Sequence, residues 1–120
     1  MQTRGEEEPI IGHTTPAGGN VFRDLGFEPG EAANLLMRAH LMMDLEHIIK
    51  ERRLKQKDAA KLFGVSQPRI SDLLRGKMET FTIDSLVNML GNAGYRVTTE
   101  VRPLPQQHGV ATEAPAAAQA

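Results

Sequence analysis

The sequence has 120 residues and a formal net charge of −1, which leaves room for one small domain with tails and excludes two ordinary domains. It contains no cysteine and no tryptophan. A disulfide framework and cysteine-based zinc or redox chemistry are therefore excluded, and aliphatic and methionine side chains must fill the core. No apolar run reaches the roughly twenty residues of a membrane span, and the N-terminus lacks the order of a signal peptide. We expect a cytoplasmic protein.

The N-terminal part of the chain divides into a tail, a short apolar segment and a long helix. Residues 1–19 are acidic and poor in apolar side chains, which predicts a disordered tail. Residues 20–27 carry four large apolar side chains, so we expect a turn or short helix that docks on the core and stops at Gly26. From Glu31 or Ala32 to Arg53, apolar residues recur at helical spacing. Their broad stripe indicates that the N-terminal segment or a second subunit covers the first half of this helix.

The stretch QKDAAKLFGVSQPRISDLL has the pattern of two short helices, 56–63 and 67–74, around a tight turn. Gly64 ends the first helix, because glycine adopts the left-handed conformation at low cost. Ser66 is the predicted N-cap of the second helix. The predicted buried stripe of that helix consists of Ile70, Leu73 and Leu74. Its polar residues therefore face outward.

Another helix is predicted after this pair. Gly76 should end the second short helix, with a cation on either side of it. Thr82 is the predicted N-cap of the next helix, and Ser85 lies where a capping box usually has Glu. This helix should continue to about Ala93.

Residues 95–101, YRVTTEV, alternate in the manner of a β-strand. The face predicted to make the interface carries Tyr95, Val97, Thr99 and Val101. A single strand needs a ladder partner for its backbone groups, and the sequence has no other convincing strand. It should pair with the same strand of a second copy, or with a strand from another protein. Prolines stop the strand, and the Ala-rich residues 104–120 are predicted to be a disordered tail.

Charge is unevenly distributed along the chain. Residues 1–31 hold two basic and six acidic side chains, a balance of −4, whereas residues 44–80 hold nine basic and six acidic side chains, a balance of +3. The positive charge coincides with the two short helices, where a phosphate backbone would be met. An ordinary solvated helical surface would also carry such a modest excess. The helix pair is what favours nucleic acid.

A role for each polar residue of the helix pair follows from its position. The second helix would enter the major groove of double-stranded DNA with its N-terminal end facing the bases. The predicted base contacts are Gln67, Arg69, Ser71 and Asp72. Gln67 can pair with adenine, Arg69 with guanine and Ser71 with several bases, whereas Asp72 can accept from cytosine or simply exclude a phosphate. The predicted phosphate contacts are Lys55, Lys57, Ser66, Arg75 and Lys77. One short helix covers only a few base pairs, so we expect a homodimer.

Six residues of the pair, Ala60, Gly64, Val65, Ser66, Ile70 and Leu73, stand at the positions typical of the Cro/C1-type (XRE) helix-turn-helix family. The resemblance implies an all-α, five-helix, lambda-repressor-like domain, here over 20–103 with the C-terminal β-strand for dimerisation. It also implies that Gln56 contacts phosphate and braces Gln67. One departure is Lys55, where the family often has a capping threonine, and its presence should weaken the helix by roughly 1 kcal/mol.

A wider resemblance covers residues 20–103. The segments NVFRDLGF, KERRLKQKDAAKLFGVSQPRISDLLRGK and FTIDSLVNMLGNAGYRVTTEV resemble the HigA-type antitoxins of bacterial toxin–antitoxin modules. This resemblance implies a homodimeric repressor of its own operon that also neutralises a RelE/HigB-like ribonuclease toxin. The alternative is a stand-alone XRE-family, phage-like regulator without a toxin.

A third class, an enzyme or a purely structural helical module, has little support in the sequence. No nucleophile–base constellation, paired carboxylates or phosphate-binding glycine loop is convincingly placed. His40 and His47 share a helix, but no third ligand is placed to complete a metal site. We expect no catalytic residue, no metal and no cofactor.

Overall fold

The computed structural model describes residues 20–104. In this range the helices are α1 Val21–Asp24, α2 Pro29–Glu51, α3 Gln56–Phe63, α4 Gln67–Leu74, a 3₁₀ helix Met78–Thr80, and α5 Ile83–Asn92. Helices α2 to α5 surround one apolar core, and α1 packs on α2. The helical fold predicted from the sequence is confirmed. The two predicted tails, apart from Leu104, lie outside the described residues.

The long helix α2 begins and ends two residues earlier than the sequence pattern indicates. It starts at Pro29, because the proline ring sets the backbone angle that a first helical residue needs. At its end, Arg53 adopts a left-handed φ of 53°, and the Leu54 N–H donates to the Ile49 carbonyl at 3.0 Å. This closing turn directs the chain into α3 and leaves Leu54 packed against the core.

The N-terminal segment covers part of α2, as predicted. Asn20 caps α1 by accepting from the Phe22 N–H at 2.9 Å, and its own amide donates to the Ala32 carbonyl at 3.3 Å. Ala32 is completely buried beneath this segment. The segment does not cover all apolar side chains of α2, since Met37 and Met43 remain 42% and 51% exposed.

The core joins the helix pair to the long helix and to α5. Its largest fully buried side chains are Phe63, Phe81, Leu45, Ile70, Leu73, Leu86 and Met89. No polar or charged side chain is buried among the described residues, so apolar burial holds the elements together. Thr82 and Ser85 form the predicted capping box at the start of α5.

After α5 the chain continues as a segment without regular secondary structure. Tyr95 and Val97 pack against the core, whereas Val101 is 94% exposed. The strand predicted at 95–101 is not formed within the described residues, where no other segment offers it a ladder. Pairing with a second copy stays a prediction.

Candidate nucleic-acid interface

A glycine turn sets the crossing of α3 and α4. Gly64 has a φ of 73°, and the Val65 N–H donates to the Ala60 carbonyl at 3.0 Å, which closes α3 and brings Val65 against the core. From the opposite side, the Asn92 amide of α5 donates to the Phe63 carbonyl at 3.0 Å. One carbonyl left free at the end of α3 is thereby satisfied. The turn is attached to α5 as well as to the core.

Helix α4 presents a polar surface above an apolar underside. The Ser66 hydroxyl accepts from the Arg69 N–H at 3.4 Å, which confirms Ser66 as the N-cap. Ile70 and Leu73 are buried. Gln67 is exposed and Ser71 is half-buried on the other side of the helix. The first two turns of α4 therefore offer an amide and a hydroxyl to a neighbouring molecule.

Arg69 is engaged within the domain. Its guanidinium donates from Nη1 to the Thr80 carbonyl at 2.8 Å and lies over the Phe81 ring, 4.5 Å from the ring centroid. The side chain is half-buried as a result. The base contact assigned to Arg69 from the sequence stays a prediction.

Asp72 also has partners within the domain. Its Oδ1 lies 3.1 Å from Arg75 Nη2 and 3.9 Å from Lys77 Nζ. Gly76, with a φ of 73°, ends the helix between these two cations. The structure thus brings Asp72, Arg75 and Lys77 into one charge cluster at the C-terminal end of α4. The base contact of Asp72 and the phosphate contacts of the two cations stay predictions.

The remaining predicted phosphate contacts are solvent-exposed at two helix starts. Lys55, Gln56 and Lys57 lie at the beginning of α3, and Ser66 at the beginning of α4. Lys55 makes no side-chain cap hydrogen bond, as expected from its departure from the family pattern. The first N–H groups of a helix carry partial positive charge and bind anions. Both starts combine backbone donors with polar side chains.

The structure adds a residue that sequence reasoning missed. Arg38 of α2 donates from Nη1 to the carbonyls of Met78 at 3.1 Å and of Phe81 at 3.4 Å. Its Nε donates to the Asn34 side chain at 2.9 Å. No local signal announces these contacts, because the partners lie some forty positions away in sequence. Arg38 attaches the 3₁₀ segment to α2.

The described part of the chain has neither a metal-binding cluster nor a membrane-spanning helix. Over residues 20–104, no group of His, Asp and Glu side chains could hold a metal ion. No helix in this range is long and apolar enough to cross a membrane.

Comparisons with known proteins agree with this geometry. A family model described as a helix-turn-helix domain matches residues 21–102. The chain is also similar to the solved structure of a protein named as an XRE family transcriptional regulator, with 28% sequence identity and a TM-score of 0.58; the match covers 68% of this chain and 91% of that one. No curated protein matches the chain. The matched span includes α1 and the segment after α5 as well as the helix pair.

Proposed function

Since this chain belongs to the helix-turn-helix domain family, we propose that it is a homodimeric repressor that recognises an operator in double-stranded DNA through α4. The family match and the XRE-family neighbour support a DNA-binding transcriptional regulator that is not an enzyme. The observation that carries the proposal is the polar side of α4, on which Gln67 is exposed and Ser71 is half-buried. It begins beside a capped helix start, and the core holds its apolar underside.

Base recognition is assigned first to Gln67 and Ser71. The exposed Gln67 amide can donate and accept in the bidentate arrangement that adenine presents in the major groove. Ser71 lies one turn further along the same side of α4 and can pair with several bases. Arg69 and Asp72 come second, because each already has a partner within the domain.

Phosphate contacts are assigned to residues at both edges of the helix pair. The proposed set is Lys55, Gln56, Lys57, Ser66, Arg75 and Lys77, all of them exposed. Such contacts fix the register of the protein on the duplex and release counterions, so they carry the salt-dependent part of affinity. Ser66 keeps its hydroxyl proton available for a phosphate while its oxygen caps α4.

Dimerisation is assigned to the segment after α5. In the proposed dimer, residues Tyr95, Val97, Thr99 and Val101 pair with their counterparts across a two-fold axis. Their backbone groups would then gain the ladder that one described chain does not provide. The exposed Val101 would gain apolar contacts. Two copies of α4 would then recognise two half-sites.

The antitoxin role is the finer part of the proposal. It is supported by the resemblance of residues 20–103 to HigA-type antitoxins, and it assigns a RelE/HigB-like toxin as protein partner. A stand-alone regulator of the XRE family is the second candidate, favoured by the name of the structural neighbour. The two differ in genomic context, because an antitoxin should be encoded beside a short reading frame for a basic toxin. Expression of that reading frame alone should arrest growth, and co-expression of this chain should prevent the arrest.

Operator recognition can be tested by selection from a duplex library with a randomised central segment. We expect the wild-type chain to enrich a two-fold symmetric sequence, and Gln67→Ala to relax the preference at one base pair in each half-site, at a cost of roughly 1–3 kcal/mol. Enrichment of no sequence at low salt would contradict the proposal.

Phosphate contacts are tested separately by salt titration. Lys57→Ala should weaken binding to all duplexes and reduce the slope of log K against log salt by about 1 for each protomer. Arg23→Ala is a matched control, because Arg23 is an exposed cation outside the helix pair, on α1, which packs on α2. An equal effect of the two substitutions would show that net charge alone is responsible.

A further inference from the structure

We propose that Arg69 is a positioning residue that fixes the orientation of α4 for base recognition and does not itself contact a base. This inference rests on the proposed function of α4. Arg69 lies in the first turn of the helix, two residues after Gln67 and directly before the buried Ile70. Its guanidinium holds Thr80 at 2.8 Å and the Phe81 ring at 4.5 Å. Both contacts lie outside α4, on the 3₁₀ segment and the residue that follows it.

One face of the Arg69 guanidinium lies against the buried ring of Phe81. Phe81 is only 1% exposed and belongs to the apolar core. A planar cation stacked on such a ring loses water from one face and is attracted by the ring quadrupole. The Thr80 carbonyl supplies a charge-assisted hydrogen bond at the edge of the same guanidinium. Turning the guanidinium outward to reach a base would break both interactions.

The surface that receives Arg69 is itself held by a second arginine. Arg38 of α2 donates to the carbonyls of Met78 and Phe81, while Arg69 of α4 donates to the carbonyl of Thr80 between them. Three carbonyls at the 3₁₀ helix and its C-cap are thereby bonded to guanidinium groups from two different helices. The 3₁₀ segment is the rigid support, and Arg69 connects the first turn of α4 to it.

This connection restricts a motion that the apolar stripe leaves open. Helix α4 has eight residues, and its buried side chains, Ile70 and Leu73, hold only its underside. Rolling or tilting about that stripe would displace Gln67 and Ser71 together. A lateral attachment at Arg69 opposes such movement, and small displacements of recognition groups weaken directional hydrogen bonds steeply. Loss of Arg69 should therefore affect every base pair that α4 recognises.

The test compares five variants of the full-length chain with the wild type: Arg69→Ala, Arg69→Lys, Phe81→Leu, the double variant Arg69→Ala/Phe81→Leu, and Gln67→Ala. Each is titrated with the duplex selected by the wild type and with a set of single-base-pair variants of that duplex, at several salt concentrations. Measurements are made at a temperature at which circular dichroism shows each variant to be folded. Arg69→Lys keeps the charge without the planar stacking group, and Phe81→Leu keeps the apolar burial without the ring.

We expect Arg69→Ala to weaken binding to the selected duplex by about 10-fold per half-site, within the range that one removed recognition contact produces. Preferences should decline at all base pairs of the half-site, including the one that Gln67→Ala affects, while the salt slope stays unchanged. Phe81→Leu should show the same pattern, and the double variant should lose less than the two single losses combined. Arg69→Lys should not restore the preferences.

Other outcomes overturn the assignment. A loss of preference confined to one base pair would make Arg69 a base contact. A reduced salt slope that Arg69→Lys restores would make it a phosphate contact. Unchanged affinity and preferences in the folded variant would leave it a purely structural residue. If the wild-type chain selects no sequence, the proposed function fails, and the assignment of Arg69 fails with it.

Discussion

At the scale of single residues, the turn between α3 and α4 depends on a glycine for two separate reasons. Gly64 has a φ of 73°, and a Cβ added there would lie 2.7 Å from the Asn92 amide nitrogen. Gly76 has the same φ of 73° but nothing within 4 Å of an added Cβ. Alanine substitutions at the two positions therefore distinguish the cost of the left-handed backbone conformation, which both share, from the cost of crowding, which only Gly64 has.

This difference leads to a paired prediction. Gly76→Ala should lower the free energy of unfolding by about 1 kcal/mol, the cost of a left-handed conformation for a residue with a Cβ. Gly64→Ala should lose about 1 kcal/mol more, because the Asn92 amide must move and its hydrogen bond to the Phe63 carbonyl is disturbed. Urea denaturation measures both values.

Asn92→Ala provides the control for the crowding term. In the Asn92→Ala protein, Gly64→Ala should lower the free energy of unfolding by no more than Gly76→Ala does, because the obstructing side chain has been removed. An equally large loss in the double variant would show that Asn92 is not the source of the additional cost.

At the scale of elements, α4 and α5 both begin with a hydroxyl N-cap, and the two caps are expected to have different roles. Thr82 and Ser85 exchange hydrogen bonds of 3.1 and 3.0 Å at the start of α5. Ser66 caps α4 through a longer bond of 3.4 Å, and it belongs to the proposed phosphate contacts. The cap of α5 is expected to contribute to stability alone, and the cap of α4 to both stability and DNA binding.

Alanine at each cap tests this division. Thr82→Ala should reduce stability by about 1 kcal/mol, the usual value of an N-cap, and should leave affinity for the selected duplex unchanged in the folded protein. Ser66→Ala should reduce stability by less, because its bond is longer, and should weaken DNA binding at all sequences. Thermal unfolding and duplex titration give the two quantities. Equal DNA affinity for the two variants would remove Ser66 from the interface.

At the scale of the whole molecule, the proposed dimer depends on the segment after α5. Tyr95 and Val97 already pack against the core of their own chain, whereas Thr99 and Val101 are exposed. Residues before and after position 98 therefore have separable roles. The side chains of the first group also complete the domain, whereas those of the second are free to contact only a partner strand.

A chain that ends at Thr98 should fold and should be monomeric. It keeps the packing of Tyr95 and Val97 and loses the exposed part of the predicted strand, so its thermal stability at high dilution should match that of the full chain. Sedimentation equilibrium measures the mass of both. A truncated chain that remains dimeric would show that Thr99 and Val101 are not needed, and would place the interface on Tyr95 and Val97 or on the helices, where Met37 and Met43 are exposed.

Much of this fold could be predicted from the sequence because its signals are local. The bounds of α3 and α4, the left-handed Gly64, and the caps Ser66 and Thr82 each depend on a few neighbouring residues, whose steric and hydrogen-bonding preferences act over one or two turns. The sequence by itself thus determined where the helix pair lies and which of its sides is apolar.

The partners of the polar side chains were decided only by the tertiary structure. Arg69 with Thr80, Asn92 with Phe63, and Arg38 with Met78 are separated by 11, 29 and 40 residues in sequence. No periodicity links such positions, because they meet only after the core has packed. The helical pattern alone therefore predicts that Arg69 faces outward and contacts a base. In the folded domain, its guanidinium contacts a carbonyl and an aromatic ring of another element.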